Sequence, residues 1–359
     1  MNFQKVFHKR TVFITGADGF IGSHLVEKLV EWGADIRAFV RASSSGLKNI
    51  KPLKNKIKIY FGNLEDKHSV DEAIKDLKNG QEIIVFHLAA QAHVGDSWRR
   101  PFDTINSNII GTLYLLQSIV DNNIKLFKFN MAGTSEEYGN LNGEMKQHYD
   151  FLSDKNVVLH ERSPVNPKSI YGTSKLAADF LTRNYCDAYG LPTVITRLFN
   201  NYGPRQNPRY ITGTIITQAL IKDYIELGNV KVKRDFCYVS DGVMGHINVA
   251  LFGTPGDIYV CGKGENISIM DWLNLILKVG IKMGVWGKKK LIVKQKRFRP
   301  GKSEVNEYLV NYKKLNELTG WKPQISWEEG LSKTIKWYSE NNKAWHGRID
   351  WQFYSELDG

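Results

Sequence analysis

Thr11-Val12-Phe13-Ile14-Thr15-Gly16-Ala17-Asp18-Gly19-Phe20-Ile21-Gly22 decides the fold. The first five residues are β-branched or aromatic, which suits a strand buried on both faces of a parallel sheet. Ser23 to Trp32 then reads as a helix with Leu25, Leu29 and Trp32 on one side. Strand, glycine turn and helix in that order form a dinucleotide-binding fingerprint. Gly16 permits the tight turn, Gly19 lets backbone approach a pyrophosphate, and Gly22 lets the helix pack on the strand. The helix-start amides, around Asp18, Phe20 and Ile21, face the phosphates.

Working outward, Asp35 to Val40 reads as the second strand. An NAD site commonly ends this strand with an acidic residue for the ribose hydroxyls. This chain has Arg41-Ala42-Ser43-Ser44-Ser45 there. A cation and hydroxyls suit a 2′-phosphate, so NADP is expected over NAD. Lys58 to Phe61 is a short strand, with Asn63 and Leu64 beyond its end beside the adenine. Ile83 to Leu88 is another, and the small residues Ala89 and Ala90, then Gln91, leave room for the cofactor. Thr104 to Val120 reads as one helix carrying Asn108, and Phe127 to Asn130 as the next strand. Strict alternation implies a Rossmann-like α/β fold, a doubly wound parallel sheet with ligands at the strand C-termini.

Composition sets the bounds. The chain has 359 residues, enough for a large core, and no apolar run reaches the roughly 18 residues a bilayer needs. Three cysteines (Cys186, Cys237, Cys261) lack metal-ligand spacing and fit a reducing cytoplasm. The net charge of +12 is spread along the chain without an aromatic-interleaved stripe. It points to an anionic small substrate rather than to nucleic acid.

Tyr171-Gly172-Thr173-Ser174-Lys175 supplies the chemistry. Tyrosine and lysine four apart share a helix face, and an ammonium there favours a phenolate that can take a hydroxyl proton. Thr134-Ser135-Glu136 follows a strand end, where a hydroxyl and a carboxylate point at the reacting carbon. Glu137 falls where an apolar residue would pack.

Gly16/Gly19/Gly22, Thr134-Ser135-Glu136, Tyr171/Lys175 and Arg197-Leu198-Phe199-Asn200-Asn201-Tyr202-Gly203-Pro204-Arg205 together resemble the extended short-chain dehydrogenase/reductases that modify nucleotide sugars. Thr134-Ser135-Glu136 resembles the 4,6-dehydratases. Val40 to Ser45 is similar to the GDP-mannose type, and 299–305 to legionaminic-pathway N-acetylglucosamine-nucleotide dehydratases. Ser135 departs from the dTDP-glucose type, which has an aspartate there.

The resemblance implies a cycle ending in a 4-keto-6-deoxy sugar nucleotide. Tyr171, kept ionised by Lys175, takes the C4 hydroxyl proton as hydride leaves C4. Glu136 removes the C5 proton. Water leaves C6, assisted by Glu136 or a group positioned by Ser135, and hydride returns to C6. It also implies His93, Thr134, Asn200, Arg205, Arg234 and Arg299 as substrate contacts, the arginines on the diphosphate. Residues 1–198 would form the dinucleotide domain and 199–359 mainly a smaller α/β substrate lobe, with strand exchange between them. A homodimer would form through helices 104–120 and 170–189, with Ile109, Leu113, Leu116 and Ile119 in core or interface. The rivals are a 4-epimerase of the same fold, which needs no Glu136, a 5,6-dehydratase, and a non-catalytic dinucleotide sensor.

Overall fold

The computed structural model describes residues 3–41, 47, 49–78, 80–140, 147–151, 157–294 and 303–349. The strand Thr11–Thr15 is buried along its whole length. Val12 and Ile14 join one apolar cluster and Phe13 another, so both faces are covered by core. That requires a sheet sandwiched between helical layers. In spatial order its strands are Ile258–Cys261, Thr193–Leu198, Leu126–Thr134, Ile83–His87, Thr11–Thr15, Asp35–Val40 and Lys58–Phe61. All neighbours are parallel. The order reverses between Thr11–Thr15 and Ile83–His87, which opens a ligand crevice at their carboxyl ends.

Helices Lys67–Lys75, Gly111–Asp121 and Ile170–Tyr189 cover one face. Phe20–Glu31 and Val239–Phe252 cover the other. The strand Ile258–Cys261 comes from the second half of the chain and pairs with Thr193–Leu198. In the second half Phe236 stacks on Trp272 at 4.3 Å, so it is core. Trp345 is buried and donates its indole N–H to the Tyr338 carbonyl. The aromatic tail from residue 350 lies outside the described residues.

One expected element changes. The helix expected over 104–120 is Pro101–Ile105, a wide π-type turn Asn106–Ile110, and Gly111–Asp121. Pro101 opens the first piece, and Gly111 packs so closely that a Cβ would lie 2.7 Å from Leu64 Cβ. In the second half of the chain lies helix Ile211–Ile221. The Gln218 side-chain amide there exchanges hydrogen bonds with the Glu226 backbone, folding strand Tyr224–Leu227 back on it. Leu116 and Ile119 face the sheet and are fully buried in its core, which removes them from any interface.

Candidate active site

The glycine turn leaves space that side chains would fill. Gly16 has φ +67°, and a Cβ there would lie 2.9 Å from the Ala89 backbone nitrogen. A Cβ on Gly22 would lie 2.2 Å from the Gly16 carbonyl oxygen. Helix Phe20–Glu31 starts at Gly19 with no side-chain cap, so its first amides are directed at the crevice without a competing acceptor. Thr15 Oγ1 accepts the Ala89 N–H at 3.1 Å and meets His87 Nδ1 at 2.8 Å, tying the two switch-point strands together. Leu88, Ala89, Ala90 and Gln91 line the exit of the second of these strands, partly exposed. Asp18 is buried, and its carbonyl accepts from Asn49 at 2.8 Å. These features fit a dinucleotide pyrophosphate at the turn.

Asn63 is exposed beyond the strand Lys58–Phe61, with Leu64 buried against Gly111. Arg41 is exposed at the end of Asp35–Val40. Ser43 lies outside the described residues. Asn108, expected at the cofactor, is buried, and its amide bonds to the Gln91 backbone at 2.7 and 3.0 Å and to Ser174 Oγ at 2.9 Å. It therefore splices the crevice wall to the helix that carries Tyr171.

The residues expected to react gather at the end of Leu126–Thr134. Thr134 closes this strand and caps the short turn Ser135–Glu137, its hydroxyl accepting the Glu136 N–H at 3.3 Å. Ser135 and Glu136 are buried in that turn. Ser169 caps the helix Ile170–Tyr189 by accepting the Gly172 N–H at 3.0 Å. Gly172 lies against the turn, where a Cβ would be 2.6 Å from the Glu136 carbonyl oxygen. The contact brings Tyr171 to Thr134, whose side chain lies near the phenol.

Burial pushes the Tyr171 phenol above its ordinary range, with Tyr210 adding to the rise and Thr134 opposing it. Lys175 lies one turn further along the same helix and is buried. Lys175 is itself pushed down to about 8 by burial, against the pull of Glu137 and Asp179. Glu137 is buried but not apolar: Arg197 Nε lies 2.6 Å from its carboxylate.

The second half departs further from expectation. Arg205 does not point a free fork at a diphosphate. Its guanidinium grips both carboxylate oxygens of Glu27, at 2.8 and 2.6 Å, and reaches His24 Nδ1 at 2.7 Å. Arg234 is buried, bonded to Glu304 at 3.1 Å and set over the Tyr308 ring. Asn200 is partly exposed in the strand Asn200–Tyr202. Arg299 lies outside the described residues. His93 caps the helix Val94–Arg99 by accepting the Asp96 N–H, and its ring meets Tyr210 edge-on at 5.6 Å.

Sequence reasoning missed the clasp that joins the halves here. Arg209 hydrogen-bonds Asp96, and the Tyr210 hydroxyl donates to the Ala92 carbonyl at 3.0 Å. The His93 ring, then the Arg209 and Arg100 charges, hold the Asp96 carboxyl down to about 2. Neither half carries a local signal for a pair 113 residues apart.

The family described as GDP-mannose 4,6 dehydratase matches residues 13–334. A mouse protein named dTDP-D-glucose 4,6-dehydratase is 33% identical over 94% of this chain and 91% of its own length. An Escherichia coli dTDP-glucose 4,6-dehydratase is 30% identical over 97% and 99%. A Streptomyces venezuelae dTDP-glucose 4,6-dehydratase, solved with NAD bound, superimposes with a TM-score of 0.80 at 25% identity. It covers 94% of this chain and 99% of its own. Such likeness over nearly the whole length supports an NAD-type dinucleotide in the glycine crevice. The chain belongs to the GDP-mannose 4,6 dehydratase family, within the extended short-chain dehydrogenase/reductases, and is a nucleotide-sugar 4,6-dehydratase.

Proposed function

We propose that the chain dehydrates a nucleotide-diphosphate hexose with Tyr171 and Glu136 as its proton-transfer groups, Thr134 orienting the sugar and Lys175 stabilising the phenolate. The observation that carries this reading is the meeting of Thr134, Glu136 and Tyr171 at one strand end beside the glycine crevice. A bound nicotinamide would supply the acceptor for a hydride from C4 and its return to C6. Gly16, Gly19, Gly22 and Ala89 would hold its dinucleotide.

In this reading Thr134 Oγ1 and Tyr171 Oη share the C4 hydroxyl, and Tyr171 takes its proton. The resulting 4-ketone acidifies C5, and Glu136 takes that proton. Glu136 then gives it to the departing C6 hydroxyl, which leaves as water. Ser135, standing where the dTDP-glucose type has an acid, leaves this task to Glu136. The proton that Tyr171 took balances the one returned to C5. An epimerase cycle has no use for the carboxylate at 136.

The bound dinucleotide is read as NAD. Arg41 is the remaining support for NADP, and the Streptomyces neighbour was solved with NAD. Weighing the dinucleotide released by denaturation separates the two. A homodimer is read from exposed Trp98, Phe102, Phe180 and Tyr189, on helices that pack beside Tyr171. A reducing, cytoplasmic setting fits the three free cysteines. No helix among the described residues is long and apolar enough to cross a membrane.

The test is incubation with dTDP-glucose, GDP-mannose, UDP-N-acetylglucosamine and CDP-glucose. One of them should lose a water mass and gain a 4-ketone. No product from any of the four would overturn the reading.

A further inference from the structure

Glu137 is the ionisable group at the site that this chemistry leaves unused. It follows Glu136 directly yet is fully buried. Its Oε1 accepts the Thr134 backbone N–H at 2.8 Å, and Arg197 Nε lies 2.6 Å from its Oε2. Arg197 also forks onto Asp179 at 2.9 and 3.1 Å, and Asp179 holds Arg183 at 2.7 Å. Gly133 makes room for this packing: a Cβ there would fall 2.8 Å from Arg197 Cγ and 3.0 Å from Glu137 Oε1. Glu137, Asp179, Arg197 and Lys175 are each at most 3% exposed. Two carboxylates and two cations thus share one dry space, where each charge needs its opposite.

We propose that Glu137 is a positioning residue for the dehydration: it anchors Thr134 through the backbone N–H and supplies one of the two negative charges that hold the Lys175 ammonium one helical turn from Tyr171. This rests on the roles given above to Thr134, Tyr171 and Lys175.

The surroundings define the electrostatics. Lys175 feels Glu137 from the turn and Asp179 from its own helix. His87 and His246, from a strand and a helix packed nearby, are held neutral by burial and by the Lys175 charge. Burial pushes the Glu137 carboxyl up to about 7, with Asp179 adding to the rise and Arg197 and Lys175 pulling it down, and Glu137 acts in turn on Tyr138. Tyr171 feels Tyr210, Glu136 and Glu137.

With every member ionised, the four buried charges cancel, and the partly exposed Arg183 adds one positive charge at Asp179. Glu137→Gln leaves one positive charge in excess among the four. That disfavours the Lys175 ammonium and favours the Tyr171 phenolate, so both limbs of the pH profile move to lower pH. Glutamine keeps an Oε1 acceptor for Thr134, which separates the charge effect from the anchoring. Glu137→Asp keeps the charge but draws the carboxylate back from Thr134.

The experiment is kcat and kcat/KM for 4-keto-6-deoxy product against pH, for wild type, E137Q and E137D. E137Q is expected to move the alkaline limb down by about one pH unit. E137D is expected to keep wild-type limbs with a reduced kcat. An E137Q profile superimposed on wild type, whatever its melting temperature, overturns the proposal. If E137Q does not fold, E137D decides: wild-type kcat overturns the proposal, and a lowered kcat on unmoved limbs supports it. Wild type that yields no product from any nucleotide sugar overturns the dehydratase reading and this proposal with it. Active wild type with an unmoved variant overturns this proposal alone.

Discussion

Gly172→Ala tests how Tyr171 reaches its place. The added Cβ would sit 2.6 Å from the Glu136 carbonyl oxygen and 3.2 Å from Pro167 Cβ. The first distance is about 0.8 Å inside ordinary van der Waals contact. Neither atom belongs to a flexible side chain, so the helix must lift off the turn by about that distance. Tyr171 and Lys175 ride on the helix, while Thr134 and Glu136 belong to the strand end and turn, so the two sets separate. A misplacement of about 1 Å costs on the order of 100-fold in rate. The stability cost is smaller. Overpacking costs about 1–3 kcal/mol, and alanine in place of a helical glycine returns about 1 kcal/mol. The expected signature is a kcat down by about two orders of magnitude with a melting temperature only slightly lowered. Water loss from the nucleotide sugar gives the first quantity and thermal melting the second. Wild-type kcat in this variant would refute the idea that close helix–turn contact sets the phenol.

Three further outcomes are expected. Glu136→Gln should lose about 10²–10⁴-fold in dehydration while still binding nucleotide sugar by calorimetry; undiminished turnover removes it as the C5 base. Tyr171→Phe should stop both nicotinamide reduction and water loss, and a reduced nicotinamide signal at 340 nm in that variant would exclude the phenol. His87 and His246 are both pushed down to about 3, burial being the main cause. The unfolded chain takes up their protons near pH 6.5, while the folded chain resists until about 3, so stability is full above 6.5 and falls as pH drops through that window. His246→Gln should flatten the decline of melting temperature with acid, and an unchanged slope would acquit that residue.

The dinucleotide half was legible because its signals are local. Residues 11–22 carry strand, turn and helix start in one stretch, and the spacing of Tyr171 and Lys175 shows their shared helix face. What escaped depends on partners far along the chain. Glu137 looked like a misplaced apolar position because Arg197, which makes its burial tolerable, lies 60 residues away. Arg205 read as a phosphate ligand because its motif shows a cation after a strand. The sequence does not show Glu27 waiting on helix Phe20–Glu31. The wide turn at Asn106–Ile110 escaped because its residues carry an ordinary helical pattern, and the turn coincides with Asn108 reaching two other segments.

The strand Ile258–Cys261 fixes how this molecule can be made. Until it leaves the ribosome, Thr193–Leu198 stands as a bare sheet edge with its hydrogen-bonding groups open to any passing chain. A polypeptide cut near residue 198 would keep that edge permanently. A chimera that joins the first half to a foreign second half would lose this pairing unless it carried residues 258–261 along.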